Sequence, residues 1–242
     1  MEQALLDMRH LGVKAINWSG GGEPTLHHDF QYFVDVANNL GLLQGIFTNG
    51  YKKIPNQQMF SWVRISLTEK GFGAITKPTV PFGVCLNQTV DHDELSLDGI
   101  CKDAKKFGAS YFQVRPALAG KYYEQPLLET PTFLLMNETK KFKVYTTDYK
   151  YYDAVRPRGY TKCYGYHFCP SIDWNGKLCV CLYMSGRKKF NLGDLNHMRM
   201  EDIWEVLPDY LDIEERCQSC CKNHEINKAL NTAKNVKDPD FL

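Results

Sequence analysis

Trp18-Ser19-Gly20-Gly21-Gly22-Glu23-Pro24-Thr25-Leu26 is the stretch whose reading decides the fold. Before it, Val13 to Trp18 reads as a buried strand. After it, Asp29 to Leu40 carries Phe30, Phe33, Val34 and Ala37 at helical spacing, with Gly41 as the stop. A strand and a helix joined by a glycine-rich turn make a βα unit. Consecutive glycines leave backbone N–H and C=O groups uncovered, so a ligand can approach the chain closely. Glu23 adds a carboxylate whose backbone is restricted by Pro24. A carboxylate beside free carbonyls suits an ammonium group. For such a run in isolation, a tight turn with a solvated Glu23 is the plainer reading.

The same rhythm continues outward. Glu2 to Leu11 reads as a helix through Ala4, Leu5, Met8 and Leu11, closed by Gly12. Gly45–Thr48, Trp62–Leu67, Phe82–Gln88 and Ser110–Arg115 read as short strands, and Leu95–Phe107 as a helix stopped by Gly108. Alternating strands and helices argue for an α/β fold with a parallel sheet. Lys70–Val80 is too short and too broken by Gly and Pro for a helix. Beyond Ala117 the sequence turns rich in Tyr and Lys, with Phe142, Val144 and Thr146 alternating as in a strand. Short strands are expected at Ser171–Trp174 and Leu178–Tyr183, a helix over Met200–Leu207, and a loose polar tail from Asn231 to Leu242. The expected organisation is a core over 1–117, a connection over 118–160, a cysteine-rich domain over 161–230 and a tail over 231–242.

The 242 residues are 43% hydrophobic and 13% aromatic, enough for an ordinary core. Lys plus Arg number 29 against 28 Asp plus Glu, a formal charge of +1. No global field attracts nucleic acid or an anionic membrane. No window reaches the roughly 18 apolar residues of a membrane span. The opening MEQALLDMRHLG is too charged for a signal peptide, so the chain reads as cytoplasmic.

Of nine cysteines, Cys163, Cys169, Cys179, Cys181, Cys217, Cys220 and Cys221 crowd the last third. In a reducing compartment such a crowd more often holds a metal than forms disulfides. Cys163 is followed by Gly176 and then Cys181, with Asp173-Trp-Asn-Gly-Lys177 as a hairpin turn; Cys217-Gln-Ser-Cys220-Cys221 comes later. Thiolates from the two groups, once brought together, make a site for zinc or for an iron-sulfur cluster, and spacing does not separate the two.

The Trp18–Leu26 turn resembles the GGEP loop of radical S-adenosylmethionine enzymes. Ile46-Phe-Thr-Asn-Gly50, Val63-Arg-Ile-Ser-Leu67, Phe82-Gly-Val-Cys-Leu86 and Phe112-Gln-Val-Arg115 look like that family's later strands, in order. The resemblance implies a partial (βα)6 barrel. Gly21, Gly22 and Glu23 would contact S-adenosylmethionine, Glu23 through its amino group. Ser66 and Arg115 match positions that contact the cofactor's ribose or carboxylate, although a strand-end hydroxyl and an ordinary ion pair would also account for them. Thr68 stands where the family commonly has an aspartate. The cysteine pattern resembles the auxiliary-cluster domain called SPASM or, when shorter, twitch. By that likeness Cys163, Cys181, Cys217 and Cys220, with Cys221 as an alternate, would hold one [4Fe-4S] auxiliary cluster.

The resemblance begins after the family's first strand and its CxxxCxxC loop, and these 242 residues hold no CxxxCxxC. An N-terminally truncated chain, inactive alone, is therefore expected. With the loop supplied, the family's chemistry is a 5'-deoxyadenosyl radical abstracting hydrogen from a substrate, a peptide or a small molecule. A reading from another class is a zinc- or iron-sulfur-stabilised module that binds a protein partner without catalysis.

Overall fold

A computed structural model describes residues 1–117, 128–153, 158–212 and 223–234. Cys217, Cys220 and Cys221 lie outside the described residues. The first elements are α1 (Glu2–His10), β1 (Ala15–Trp18), α2 (Phe30–Asn39), β2 (Leu43–Thr48), β3 (Trp62–Ser66), β4 (Phe82–Gln88), α3 (Glu94–Phe107), β5 (Tyr111–Pro116), β6 (Lys143–Tyr145) and α4 (Asp148–Asp153). Strands β1 to β6 form one sheet in sequence order, every pairing parallel. The chain is thus α/β with a partial-barrel sheet. Its sixth strand comes from the Tyr- and Lys-rich segment beyond residue 117, where Phe142 and Val144 face the core.

Alternation explains which face is buried. Val63 and Ile65 on β3, Val84 and Leu86 on β4, and Phe112 and Val114 on β5 pack with Phe30 and Val34 of α2 and Leu97, Cys101 and Ala104 of α3. Fully burying side chains of this size contributes roughly 1.5–3 kcal/mol each. Asp93 caps α3 by accepting from the Ser96 N–H at 2.8 Å, and Gly108 ends it at φ 96°. Between β3 and β4 there is only a 3-10 turn at Phe72–Ala74, as the broken Lys70–Val80 sequence requires.

β1 is not the buried strand its composition predicts. It pairs with β2 only, its residues alternate between exposed and half-buried, and among the described residues no strand covers its other edge. It is fastened instead by a polar relay: Trp18 Nε1 donates to Gln44 Oε1 at 2.7 Å, and Gln44 Nε2 donates to the Val34 carbonyl at 3.0 Å.

The compact units do not follow sequence order. Glu2 and Gly12–Tyr151 form one; Met1, Gln3–Leu11 and Tyr152–Leu242 form the other. The second unit holds β7 (Lys162–Cys163), β8 (Ser171–Ile172), β9 (Lys177–Cys179), β10 (Asn191–Asp194), α5 (Met200–Glu205), β11 (Leu211–Asp212) and α6 (His224–Ala233). β8, β9 and β10 make an antiparallel sheet, and β7 pairs with β11. The strand expected over Leu178–Tyr183 stops at Cys179, because the chain turns into a 3-10 turn at Leu182–Met184. α6 continues to Ala233, so the first residues of the expected loose tail are helical. Ala4 of α1 is buried with Leu178, Met200 and Ile203. Among the described residues, no helix is long and apolar enough to cross a membrane.

Candidate functional site

Parallel strands bring their C-terminal ends to one edge of a sheet, where ligands of α/β folds bind. The Gly20–Glu23 turn leaves β1 at that edge. Gly21 and Gly22 are exposed, and a Cβ added to Gly22 would meet nothing within 4 Å. Glu23 is extended (φ −89°, ψ 118°) and caps the 3-10 turn Pro24–Leu26. Its Oε1 accepts from the Thr25 N–H at 3.2 Å, the Thr25 hydroxyl at 2.8 Å and the Thr48 hydroxyl at 2.7 Å. Its Oε2 accepts from the Asn49 N–H at 2.7 Å. The carboxylate is therefore held rigidly rather than solvated. A carboxylate offers about four lone-pair sites, and with one donor on Oε2 that oxygen keeps room for another.

Thr48 and Asn49, at the end of β2, are partners that the sequence does not announce. They meet Glu23 only because β1 and β2 pair in parallel with Trp18 opposite Ile46. The Thr-Asn-Gly that ends the strand is the available signal. Gly50, at φ 75°, turns the chain there, and its N–H donates to the Thr48 hydroxyl at 3.0 Å.

Ser66 ends β3 opposite Cys85 and is half-buried. Arg115 lies at the end of β5 opposite Asn87, whose Oδ1 accepts from the Arg115 Nε at 2.7 Å. Among the described residues no carboxylate pairs with Arg115. Both residues sit on the face opposite the buried Ile65 and Val114, near the edge that carries Glu23.

In the second unit, the Asp173–Lys177 hairpin forms as expected. Asp173 Oδ1 accepts from the N–H groups of Asn175 (2.8 Å) and Lys177 (3.0 Å), and Gly176 adopts φ 75°. The turn returns the chain to Cys179 and Cys181. Cys163 and Cys181 are both half-buried against one small core of Tyr166, Val180, Met184 and Phe190. Cys179 is fully buried, and burial, reinforced by Asp173, pushes its thiol up. Asn227 of α6 ties the unit together. Its Oδ1 accepts from the N–H groups of Tyr164 (2.7 Å) and Gly165 (2.9 Å), and its Nδ2 lies 3.6 Å from the Cys163 sulfur. Cys163 and Cys181 are soft donors, suited to iron-sulfur or zinc ligation.

Residues 163–223 match the family model of SPASM, an iron-sulfur cluster-binding domain. No curated protein matches the chain in sequence. Among solved structures, Streptococcus suis SuiB bound to S-adenosylmethionine is similar in fold, with a TM-score of 0.60 at 15% identity, over 86% of this chain and 58% of that one. SuiB bound to its precursor peptide SuiA matches with a TM-score of 0.58 at 15% identity, over 86% and 57%. The chain thus spans somewhat more than half the length of SuiB. It shares the fold of SuiB over most of its length and matches the SPASM iron-sulfur cluster-binding domain over residues 163–223.

Proposed function

We propose that the Gly21–Glu23 turn binds the methionine amino group of S-adenosylmethionine, with Ser66 and Arg115 as further contacts, in a protein that modifies a peptide. The observation that carries this reading is the Glu23 carboxylate, fixed by Thr25, Thr48 and the Asn49 N–H beside exposed glycines at the C-terminal edge of a parallel sheet. Such fixing prepares an anion for an ammonium without a further ordering cost. A peptide substrate is supported by analogy, since SuiB has been seen with its precursor peptide.

When bound next to a reduced [4Fe-4S] cluster, S-adenosylmethionine supplies hydrogen abstraction through its 5'-deoxyadenosyl group. That cluster needs three thiolates in a CxxxCxxC loop, so turnover is proposed only where such a loop accompanies these 242 residues. Cys163, Cys181, Cys217 and Cys220, with Cys221 as alternate, are the proposed ligands of the auxiliary cluster. Support comes from α6, which starts three residues after Cys221 and is anchored beside Cys163 through Asn227.

Calorimetric titration of the 242-residue chain with S-adenosylmethionine tests the cofactor site. Glu23→Gln should weaken binding at least tenfold, about 1.4 kcal/mol, because the amide presents N–H where donors already point. Unchanged affinity in the variant, or no binding by the parent chain, would refute the assignment.

A further inference from the structure

His27, His28 and Asp29 stand between the 3-10 turn Pro24–Leu26 and the start of α2, and all three are exposed. The backbone is tied on both sides of them. The His27 N–H donates to the Pro24 carbonyl at 3.1 Å, the Phe30 N–H to the His27 carbonyl at 3.1 Å and the Phe33 N–H to the Asp29 carbonyl at 3.0 Å. Three consecutive side chains therefore converge, where an extended chain would send them to alternate sides. The two imidazole rings stack, with centroids 4.7 Å apart and planes 13° from parallel. His28 Nε2 lies 2.9 Å from Asp29 Oδ2. One ring nitrogen of each histidine and a carboxylate oxygen of Asp29 all fall within 4.8 Å of one another.

Little commits these groups to the fold. Asp29 is the N-cap residue of α2, a position where aspartate normally accepts from the helix N–H groups, yet its side chain makes no capping bond. Among the described residues its ion-pair partner is His28 alone. The Asp29 N–H donates to His27 Nδ1 at 3.1 Å, an exposed bond that water can replace at small cost.

Nitrogen and oxygen ligands sit about 2.0–2.2 Å from an ion such as zinc, so two that meet at right angles stand about 3 Å apart. The His28–Asp29 pair already has that spacing, and rotation of the exposed His27 ring brings in the third donor. Imidazole nitrogens favour nickel, copper and zinc, whereas Mg²⁺ and Ca²⁺ prefer oxygen ligands alone. The set contains no thiol. It lies in the unit formed by Gly12–Tyr151, not in the one that holds Cys163 and Cys181.

We infer that His27, His28 and Asp29 form a surface site for a divalent ion of the nickel, copper and zinc group, with water completing the coordination. This does not rest on the S-adenosylmethionine reading, which concerns Glu23 and the glycines before it.

The test is titration of the full chain with Ni²⁺, followed through the imidazole NMR signals. Nickel is paramagnetic, so the ring signals of its ligands shift and broaden. Those of His27 and His28 should respond together, at roughly tenfold lower free nickel than His10 and His197, each of which has one carboxylate beside it but no second imidazole. Asp29→Asn, which keeps the side-chain shape, should raise the nickel needed at both rings roughly tenfold, and His28→Ala should do the same at His27. The melting temperatures of the metal-free variants should match that of the parent, because the three residues are exposed. An equal response of all the exposed histidines overturns the proposal. So does a His27 response that survives both substitutions, displacement of nickel by Mg²⁺, or nickel uptake by the cysteines alone. A marked fall in melting temperature in both metal-free variants would assign the cluster to folding and overturn it too.

Discussion

Asp7 is fully buried and still serves as an anion, because its surroundings are donors. Burial raises its pKa, but hydrogen bonds from Arg199, Gln3 and the Met200 N–H together hold the carboxyl below the usual range. Gln3 Nε2 and Arg199 Nε donate to Oδ1 at 2.8 and 2.9 Å, and the Met200 N–H donates to Oδ2 at 2.8 Å. A depressed carboxyl contributes stability that is present above its unfolded value, roughly 3.9, and is lost as pH falls through the lower folded one. Asp7→Asn should therefore melt lower at neutral pH, by about 1–3 kcal/mol for the buried donors left opposed. Its melting temperature should also depend less on pH on the acid side, which thermal scans from pH 7 to pH 2 would check. None of this is legible in the sequence. Ala4, Leu5 and Met8 reveal the helix by their spacing, but Asp7 looks like a solvated charge until Arg199, 192 residues away, is placed beside it.

Glycine–aromatic pairs on neighbouring strands shape the helix-free face of the sheet. Gly83 on β4 stands opposite Tyr111 on β5, and Gly45 on β2 opposite Trp62 on β3. A Cβ at Gly83 would come within 1.9 Å of the Tyr111 ring. Gly83→Ala should therefore force Tyr111 off the sheet and destabilise the protein by about 1–3 kcal/mol. The double variant Gly83→Ala with Tyr111→Ala should lose clearly less than the sum of the single ones in chemical denaturation, and additive losses would show that the two do not share the space. At this scale the sequence reads well where side chains alternate. Val63 and Ile65 fix β3, and Phe112 and Val114 fix β5, because each strand shows the core one apolar row. It reads less well where a neighbour decides the outcome. Val13 to Trp18 is apolar enough for a buried strand, yet among the described residues β1 has a neighbouring strand on one side only. The glycine–aromatic pairing depends on cross-strand register, which no local pattern reveals.

The whole chain divides into two compact units that interleave along the sequence. Anaerobic reconstitution of the chain with iron and sulfide should yield roughly four of each per chain, and Cys163→Ser should lower that content, if one cubane occupies the SPASM domain. Metal content and a brown absorbance would also separate iron-sulfur from zinc, which the cysteine spacing leaves open. Because metal binding is coupled to folding, chelation should speed amide exchange in β8, β9 and β10 before it affects β3 to β5. α1 should follow β9 in that experiment, since Ala4 packs with Leu178 and Ile203, although it stands near the start of the sequence. α1 also has a consequence for biosynthesis. Translation at about 5–20 residues per second puts roughly 10–40 s between the synthesis of Ala4 and that of Met200 and Ile203, which cover it. Over that interval the α1 apolar stripe lacks its full native cover, Leu178 arriving first and Met200 and Ile203 last, so nascent chains stalled before residue 178 should recruit hydrophobic chaperones that completed chains release.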